Sequence, residues 1–183
     1  MVGATRTHLR QTLGPVAVLA LAALLTGCGL WTGEFTGRVT RVLHGDTLKI
    51  QKPSGRIVRV VLAGVDCPER GQPYRKEARK LAIRLAQGKQ VTVKAEGRNR
   101  YGHIVGVVVL PRGRILNREL VQAGLAWVVP GYEGDPKLAE LERRARRLRK
   151  GLWRDDDPVP PWEFQRNKSW RSHRPSTATT SKR

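Results

Sequence analysis

Acidic residues and cysteines are scarce in this sequence, and its apolar runs are short. Of the 183 residues, 35 are Lys or Arg and only 15 are Asp or Glu, which gives a formal net charge of +20. A chain with so little negative charge is suited to a polyanionic partner, either a nucleic acid or an anionic membrane face. The length fits one domain with extensions.

Only two cysteines occur, Cys28 and Cys67. Cys28 follows Leu25-Thr26-Gly27, a pattern that resembles the bacterial lipobox, in which the cysteine is lipidated and becomes the mature N-terminus. With Cys28 modified in this way, Cys67 has no intramolecular partner, and a disulfide framework is excluded. Cys67 is therefore expected to be a small buried residue, with a reactive thiol as the alternative.

The apolar stretch PVAVLALAALL follows two arginines and ends at residue 25. It is short for a membrane span and is typical of a secretory signal. We expect residues 1–27 to be a lipoprotein signal peptide and residues 28–35 a tether, which places the protein at the bacterial cell envelope as an exported, membrane-anchored lipoprotein. The alternative is an ordinary signal anchor with an incidental cysteine. Without residues 1–27 the chain keeps 33 basic and 15 acidic residues, formally +18.

Alternating periodicities predict a barrel with helices outside it. Segments rich in β-branched residues and separated by turn signals predict five strands, at 35–43, 47–51, 56–65, 90–96 and 103–110. Apolar residues at helical spacing predict three helices, at 74–88, 115–123 and 136–150. This order of elements predicts an α+β fold that is mainly β: a five-stranded OB-fold barrel with three packed helices. The basic, Ser/Thr-rich residues 165–183 predict a disordered tail.

Two carboxylates, Asp66 and Glu69, lie three residues apart around Pro68, after an apolar run. Proline lacks a backbone N–H and disfavours helical conformation in the residue before it, so this pair is expected on a turn at the end of a strand. Taken alone, such acids have ordinary structural roles. Asp66 suits a turn cap, Glu69 suits a surface pair with Arg70, and Asp46 suits an Asx-type bond in its own HGDT turn.

Four motifs make the sequence resemble the staphylococcal nuclease (thermonuclease) family, in a bacterial lipoprotein-type form, over residues 36–164. The motifs are HGDTLKI, LAGVDCPE, RYGHIVG and LNRELVQAGLAWV, and the trailing GLW and PPWE recur in bacterial members. Any one of them is weak evidence, but all four occur in the family's order and spacing. The combination is therefore a specific signal.

The resemblance implies a Ca²⁺-dependent phosphodiesterase that cuts DNA, and RNA as a further substrate, with little sequence preference. By the same resemblance, Asp46, Asp66 and the backbone carbonyl of Cys67 would hold the ion through hard oxygen ligands. Glu69 would be the general base that takes a proton from the attacking water. One acid group would thus bind the cation while a neighbouring one activates the water.

The sequence departs from the family at two arginine positions that clamp the phosphoryl group. Val61 stands five residues before the second aspartate, and His103 follows the YG of the third motif. Each lost donor costs roughly 3 kcal/mol of transition-state stabilisation, so a weak enzyme is expected unless the donors are replaced. Arg59 shares the strand face of Val61, about 7 Å away, and His103 itself offers a donor or a general acid. The alternatives are a solvent-exposed strand arginine and a loop histidine with no role.

Further family positions concern the bound nucleotide. Arg100 and Tyr101 resemble the family's phosphate-side residues, and Tyr132 is the aromatic kept for stacking on a base. The resemblance therefore implies DNA or RNA as the partner of a lipid-anchored monomer. A hypothesis from a different class is a non-catalytic OB-fold lipoprotein that binds nucleic acid and has lost activity through Val61 and His103.

Overall fold

The computed structural model describes the backbone of residues 33–172 and the side chains up to residue 166. Residues 1–32 and 173–183 are outside this range, and with them the predicted signal peptide, the predicted lipidation site Cys28 and most of the predicted tail. None of the described helices is long and apolar enough to cross a membrane.

Five strands close into a barrel and confirm the predicted α+β fold of the OB type. They are β1 (Gly33–Val42), β2 (Thr47–Gln51), β3 (Ile57–Leu62), β5 (Gln90–Arg98) and β6 (Ile104–Val109). The order around the barrel is β1-β2-β3-β6-β5. All neighbours run antiparallel except β3 and β6, which are parallel. Because strand side chains alternate between faces, the inner residues of each strand form the core and the outer ones are left for other contacts.

The barrel interior is filled by aliphatic side chains from every strand. Residues that are almost completely buried include Val39, Val42, Leu48, Ile50, Val60, Leu62, Val93, Ile104 and Val108. Burial of each such side chain stabilises the fold by about 1.5–3 kcal/mol. Val39 and Val42 both point inward although they are three residues apart, because the register of β1 shifts between Val39 and Arg41.

The predicted strand 56–65 is divided in the structure, which corrects the sequence-based expectation. After β3, Gly64 adopts a φ of +68° and turns the chain. The next strand, β4 (Val65–Asp66), leaves the barrel and pairs antiparallel with β7 (Trp127–Val128). A Cβ on Gly64 would collide with the ring of Tyr132, so this close approach requires glycine. The sequence pattern missed the break because apolar residues continue through it.

Four α-helices occur within residues 33–172, where three were predicted. The predicted three are confirmed as α1 (Arg75–Ala86), α2 (Leu116–Gln122) and α3 (Lys137–Arg147), and the additional one is α4 (Pro161–Ser172). The proposed boundary at residue 165 between domain and tail falls inside α4. The prolines before α4 predict a break in regular structure, yet proline is favourable in the first turn of a helix.

A second apolar cluster lies beside the main core and supports the C-terminal segment. It contains Trp127, Ala145, Leu152 and Trp153, with Trp162 of α4 packed against it. The rings of Trp127 and Trp153 meet edge to face with centroids 5.7 Å apart. This cluster holds the start of α4 near β4 and β7.

Candidate active site

A cleft of about 860 Å³ opens where the loop after β1, the end of β3, β4 and the turn before β6 meet. Seven of the nine described residues that the sequence predicts for the site line this cleft. They are Asp46, Arg59, Asp66, Cys67, Glu69, Tyr101 and His103. The other two, Arg100 and Tyr132, lie outside it. The fold therefore gathers the predicted acids and the predicted replacements for the family arginines in one place.

Asp46 joins two distant segments of the chain. Its Oδ1 accepts a hydrogen bond from the Thr47 hydroxyl at 2.9 Å, the local turn contact expected for an HGDT sequence. Its Oδ2 accepts from the backbone N–H of Cys67 at 2.8 Å. Burial raises the pKa of Asp46, and these two hydrogen bonds partly offset that rise. Asp46 thus faces the second acidic segment with its carboxylate fixed at both oxygens.

Asp66 ends β4 and stands at the rim of the same cleft. Burial raises the pKa of the Asp66 carboxyl from 3.8 to about 7, and repulsion from Asp46 and Glu69 adds to the rise. Among the ion pairs of residues 33–166, none includes one of these three acids. Asp46, Asp66 and Glu69 therefore lie together without an ion pair to a described basic side chain.

The donor set at this point fits a hard divalent cation. Carboxylate and carbonyl oxygens are the ligands that Ca²⁺ prefers, and a cation between Asp46 and Asp66 would relieve the repulsion that raises the pKa of Asp66. Cys67 is almost completely buried with a free thiol, which confirms the expected small buried residue. The described residues contain no group of three or more His, Cys, Asp or Glu side chains arranged to hold a metal. Asp46 and Asp66 are the two carboxylates predicted as ligands, so backbone, water or substrate oxygens would have to complete the shell.

Glu69 lies on the loop between β4 and α1 and is held by two glutamine amides. Its backbone N–H donates to Oε1 of Gln72 at 2.7 Å. Its carboxylate Oε1 accepts from Nε2 of Gln165 at 2.6 Å. The alternative expected from the sequence, an ion pair with Arg70, is not among the pairs formed by the described residues. Glu69 therefore presents a partly exposed carboxylate to the cleft.

Arg59 and His103 meet at another part of the cleft lining, called the basic wall below, whereas Asp46, Asp66 and Glu69 form the acidic wall. The parallel register pairs Val60 with Ile104 and Val61 with Val105, which brings Arg59 opposite His103. Nη1 of Arg59 lies 3.2 Å from Nε2 of His103. A guanidinium can only donate, so Nε2 accepts and carries no proton in this arrangement. His103 therefore orients Arg59 here, and a general-acid role through Nε2 would require this contact to break.

Three residues were predicted to contact the bound nucleotide, and their surroundings differ: Arg100, Tyr101 and Tyr132. Tyr101 is 66% exposed at the cleft mouth, with its ring 5.9 Å from that of His103. The Arg100 guanidinium lies 4.8 Å from the centre of the Tyr101 ring. Tyr132, predicted to stack on a base, packs on Gly64, and its hydroxyl donates to Glu96 at 2.7 Å. The structure brings Tyr101 to the cleft, whereas Tyr132 is not among the residues that line it.

Sequence reasoning missed several residues of the site. Arg70 and Arg75 also line the cleft, and Nε of Arg75 is buried without a hydrogen-bond partner among the described residues. Their closeness to Glu69 in the sequence was the available signal. No sequence signal joined Gln165 to the site, because it lies 96 residues after Glu69.

The sequence model of a family described as staphylococcal nuclease homologue matches residues 59–155. That range covers more than half of the chain and includes most of β3, all of β4 and the loop that carries Glu69. The chain belongs to the staphylococcal nuclease family. The resemblance carried by the four sequence motifs is thereby confirmed.

Relatives in the staphylococcal nuclease family are similar over most of their length. An "Uncharacterized endonuclease" of Escherichia coli is 44% identical over 135 residues, which cover 74% of this chain and 88% of that protein. A "Micrococcal nuclease" of Shigella flexneri is 35% identical over 160 residues, or 82% and 91% of the two chains. An "Uncharacterized endonuclease" of Haemophilus influenzae is 29% identical over 150 residues, or 82% and 83%.

Proposed function

We propose that this protein is an exported Ca²⁺-dependent nuclease that hydrolyses phosphodiester bonds of DNA, and also of RNA, with low sequence preference. One observation carries the proposal. Asp46, Asp66 and Glu69 converge on one cleft in a member of the staphylococcal nuclease family, and none has an ion-pair partner among residues 33–166. Family membership and the endonuclease and nuclease names of the relatives support the enzyme over the non-catalytic binding module.

Substrate attraction follows from charge. The chain carries a formal +20, and Arg59, Arg70 and Arg75 line the cleft. Basic side chains around a groove raise the local concentration of a polyanion and bind its phosphates without regard to base sequence. These arginines and the three acids line the same cleft. The arginines attract the phosphate backbone of the nucleic acid, and the acids attract a cation.

The residues that would hold the cation are Asp46, Asp66 and the backbone carbonyl of Cys67. Bound Ca²⁺ would polarise the scissile phosphodiester and offset negative charge that develops on its oxygens. The protein's part is to bring both carboxylates together, and a bound cation would favour their charged forms against the burial that raises both pKa values. The hydrogen bonds from Thr47 and Cys67 to Asp46 favour its charged form.

Glu69 is the proposed general base. Oε1 of Glu69 is occupied by Gln165, whereas Oε2 accepts no hydrogen bond from a described residue. We assign Oε2 to the attacking water, whose proton it would accept. Proton transfer by a positioned carboxylate contributes about 10²- to 10⁴-fold to the rate.

Arg59 is the proposed phosphoryl clamp in place of the family arginine that Val61 replaces. The guanidinium of Arg59 lines the cleft and is oriented by Nε2 of His103. A preorganised donor of this kind is worth about 3 kcal/mol in the transition state. The pair thus supplies one strong donor where the family has two.

The proposal is tested with the purified full-length protein, single- and double-stranded DNA, and RNA. We expect fragments with Ca²⁺, none with a chelator, and cleavage at least about 100-fold slower from a Glu69→Gln variant that still shifts DNA in a gel. Shifted DNA without fragments from the unmodified protein would refute the nuclease and support the binding module. The assay also shows which nucleic acid and which strand form is preferred.

The envelope location is proposed from the sequence alone. We infer that Cys28 is lipidated and tethers the nuclease to a membrane. Full-length protein expressed in a bacterium should sediment with membranes and incorporate labelled fatty acid, and a Cys28→Ser variant should do neither. A variant that is still lipidated would contradict this part of the proposal.

A further inference from the structure

We propose that Gln165 is a positioning residue for Glu69, so that the C-terminal segment at residues 158–166 is part of the active site. The inference rests on the proposed role of Glu69 as general base and adds a group that acts on it. Gln165 lies outside residues 59–155, the range that the family model matches. The contact therefore comes from an element beyond the matched part of the domain.

Two amides connect Glu69 to this segment. Gln165 donates to the carboxylate Oε1 at 2.6 Å, and Gln72 accepts from the Glu69 backbone N–H at 2.7 Å. The other end of the Gln72 amide donates to the carbonyl oxygen of Val159 at 2.9 Å. Gln72 is one of few buried polar residues, 8% exposed. Both the backbone and the carboxylate of Glu69 are thus tied to the same stretch of chain.

Apolar packing holds that stretch in place. Pro161, the first residue of α4, is buried, and Trp162 packs against the cluster around Trp127. Phe164 lies against the Glu69 loop, with a ring atom 3.5 Å from the position that a Cβ on Gly71 would take. Phe164 and Gln72 also line a common small pocket. The first turn of α4 is therefore docked on the loop, which places the residue after Phe164 over Glu69.

A general base on a loop needs such support. A free glutamate loses side-chain entropy when its rotamer is fixed, and misplacement of a reacting group by about 1 Å can cost 100-fold in rate. A neutral amide fixes one oxygen without cancelling the charge, because it is not a cation. The second oxygen stays available for water. Gln165 meets these requirements, whereas a lysine or arginine would pair with the base and weaken it.

The first test is kinetic and uses the full-length protein with Ca²⁺ and DNA. In Gln165→Met the side chain keeps its length but loses the donor, and we expect kcat to fall about 10-fold with KM within twofold. Gln165→Glu places a second carboxylate against Glu69, and we expect a fall of about 100-fold. Glu163→Gln is the matched control on the same helix, exposed and paired with Arg166 at 3.9 Å, and should keep the parent kcat. Unchanged kcat in Gln165→Met would overturn the proposal.

A folding defect is not expected to account for a lower kcat in these variants. The Gln165 amide is solvent-exposed, and an exposed hydrogen bond contributes little to stability. Melting temperatures of the variants should match the parent. A double variant gives a further check. When Gln165→Met is added to Glu69→Gln, it should cause no additional loss of kcat. Equal losses in both backgrounds would show that Gln165 does not act through Glu69, which would also overturn the proposal.

The second test does not depend on catalysis. The side-chain amide signals of Gln165 are assigned by nuclear magnetic resonance in metal-free full-length protein, and Glu69→Ala should shift them. Signals that do not move would overturn the proposal. If they move but the parent protein cuts no nucleic acid, the contact is supported and the proposed nuclease function fails instead.

Discussion

The two walls of the cleft are built in different ways. On the acidic wall, the Asp46 carboxylate accepts from the backbone N–H of Cys67, and the backbone N–H of Glu69 donates to the side chain of Gln72. On the basic wall, Arg59 is exposed, and its described hydrogen bond is to another side chain, His103. A carboxylate whose position depends on backbone hydrogen bonds tolerates little movement of its residue. The long, exposed side chain of an arginine can instead reach a phosphate from several positions in the sequence. This difference explains how the arginine positions can change while the acids stay.

The walls also differ in how well their charge is balanced. The causes that raise the pKa of Asp66 to about 7 are burial and the two neighbouring acids, and no basic residue contributes to it. Burial and mutual repulsion therefore disfavour the charged forms of Asp46 and Asp66. A bound divalent cation would favour those charged forms, whereas a guanidinium on the basic wall binds phosphate without a metal.

The largest effect is expected on the acidic wall, at the proposed base. Glu69→Gln removes proton acceptance, and kcat should fall by about 10²- to 10⁴-fold while the affinity for an uncleaved DNA analogue is unchanged. Rates and affinities are measured on the same preparations. If Glu69→Gln retains a tenth of the parent rate, Glu69 is not the base.

The next-largest effect is expected on the basic wall, at Arg59 and His103. Arg59→Ala removes the proposed donor and should lower kcat by about 10²- to 10³-fold, whereas His103→Ala should cost less because it only misorients Arg59. In a double-mutant cycle the two losses should not multiply, since both act through one guanidinium. Losses that do multiply would show that His103 has a role of its own in the reaction.

A smaller effect concerns the stability of the metal-free protein. The folded protein keeps the Asp66 proton up to about pH 7, whereas an unfolded chain releases it near its ordinary value of 3.8. The folded state binds more protons between these values, so stability falls as pH rises from about 4 to about 7. Asp66→Asn should stabilise the metal-free protein at pH 8 by about 2–4 kcal/mol. Asp46, whose pKa is also raised, should keep a residual slope.

This effect is measured by urea unfolding in chelator at pH 5 and pH 8. Added Ca²⁺ should stabilise the parent protein more at pH 8 than at pH 5, because protons compete for the same carboxylates. If the parent protein were equally stable at both pH values in chelator, the expected rise in the pKa of Asp66 would be contradicted.

The smallest effect compares two tyrosines. Tyr101→Phe removes a hydroxyl at the cleft mouth and should weaken nucleotide binding by about 1 kcal/mol, or roughly fivefold. Tyr132→Phe removes a hydroxyl that donates to Glu96, so it should reduce stability by a similar amount and leave affinity unchanged. Fluorescence titration and thermal unfolding separate the two. If Tyr132→Phe instead weakened nucleotide binding and Tyr101→Phe reduced only stability, Tyr132 would be the residue that contacts the substrate.

Much of the fold was predictable from local pattern. Alternation of β-branched residues indicated the five barrel strands, and helical spacing indicated α1, α2 and α3. The acids at positions 46, 66 and 69 stood out because each lies in a recognisable motif. The division at Gly64 was not predictable, because apolar residues run through it and the turn depends on contact with Tyr132.

The sequence by itself determined the barrel, the family and the identity of the acidic groups, since periodicity, turn residues and motif order are local properties. Only the tertiary structure decided which side chains meet across the cleft. The parallel register of β3 and β6 joins Arg59 to His103, and the docking of α4 joins Gln165 to Glu69 across 96 positions. Such pairings depend on how elements pack in space, and no property of the separated segments encodes them.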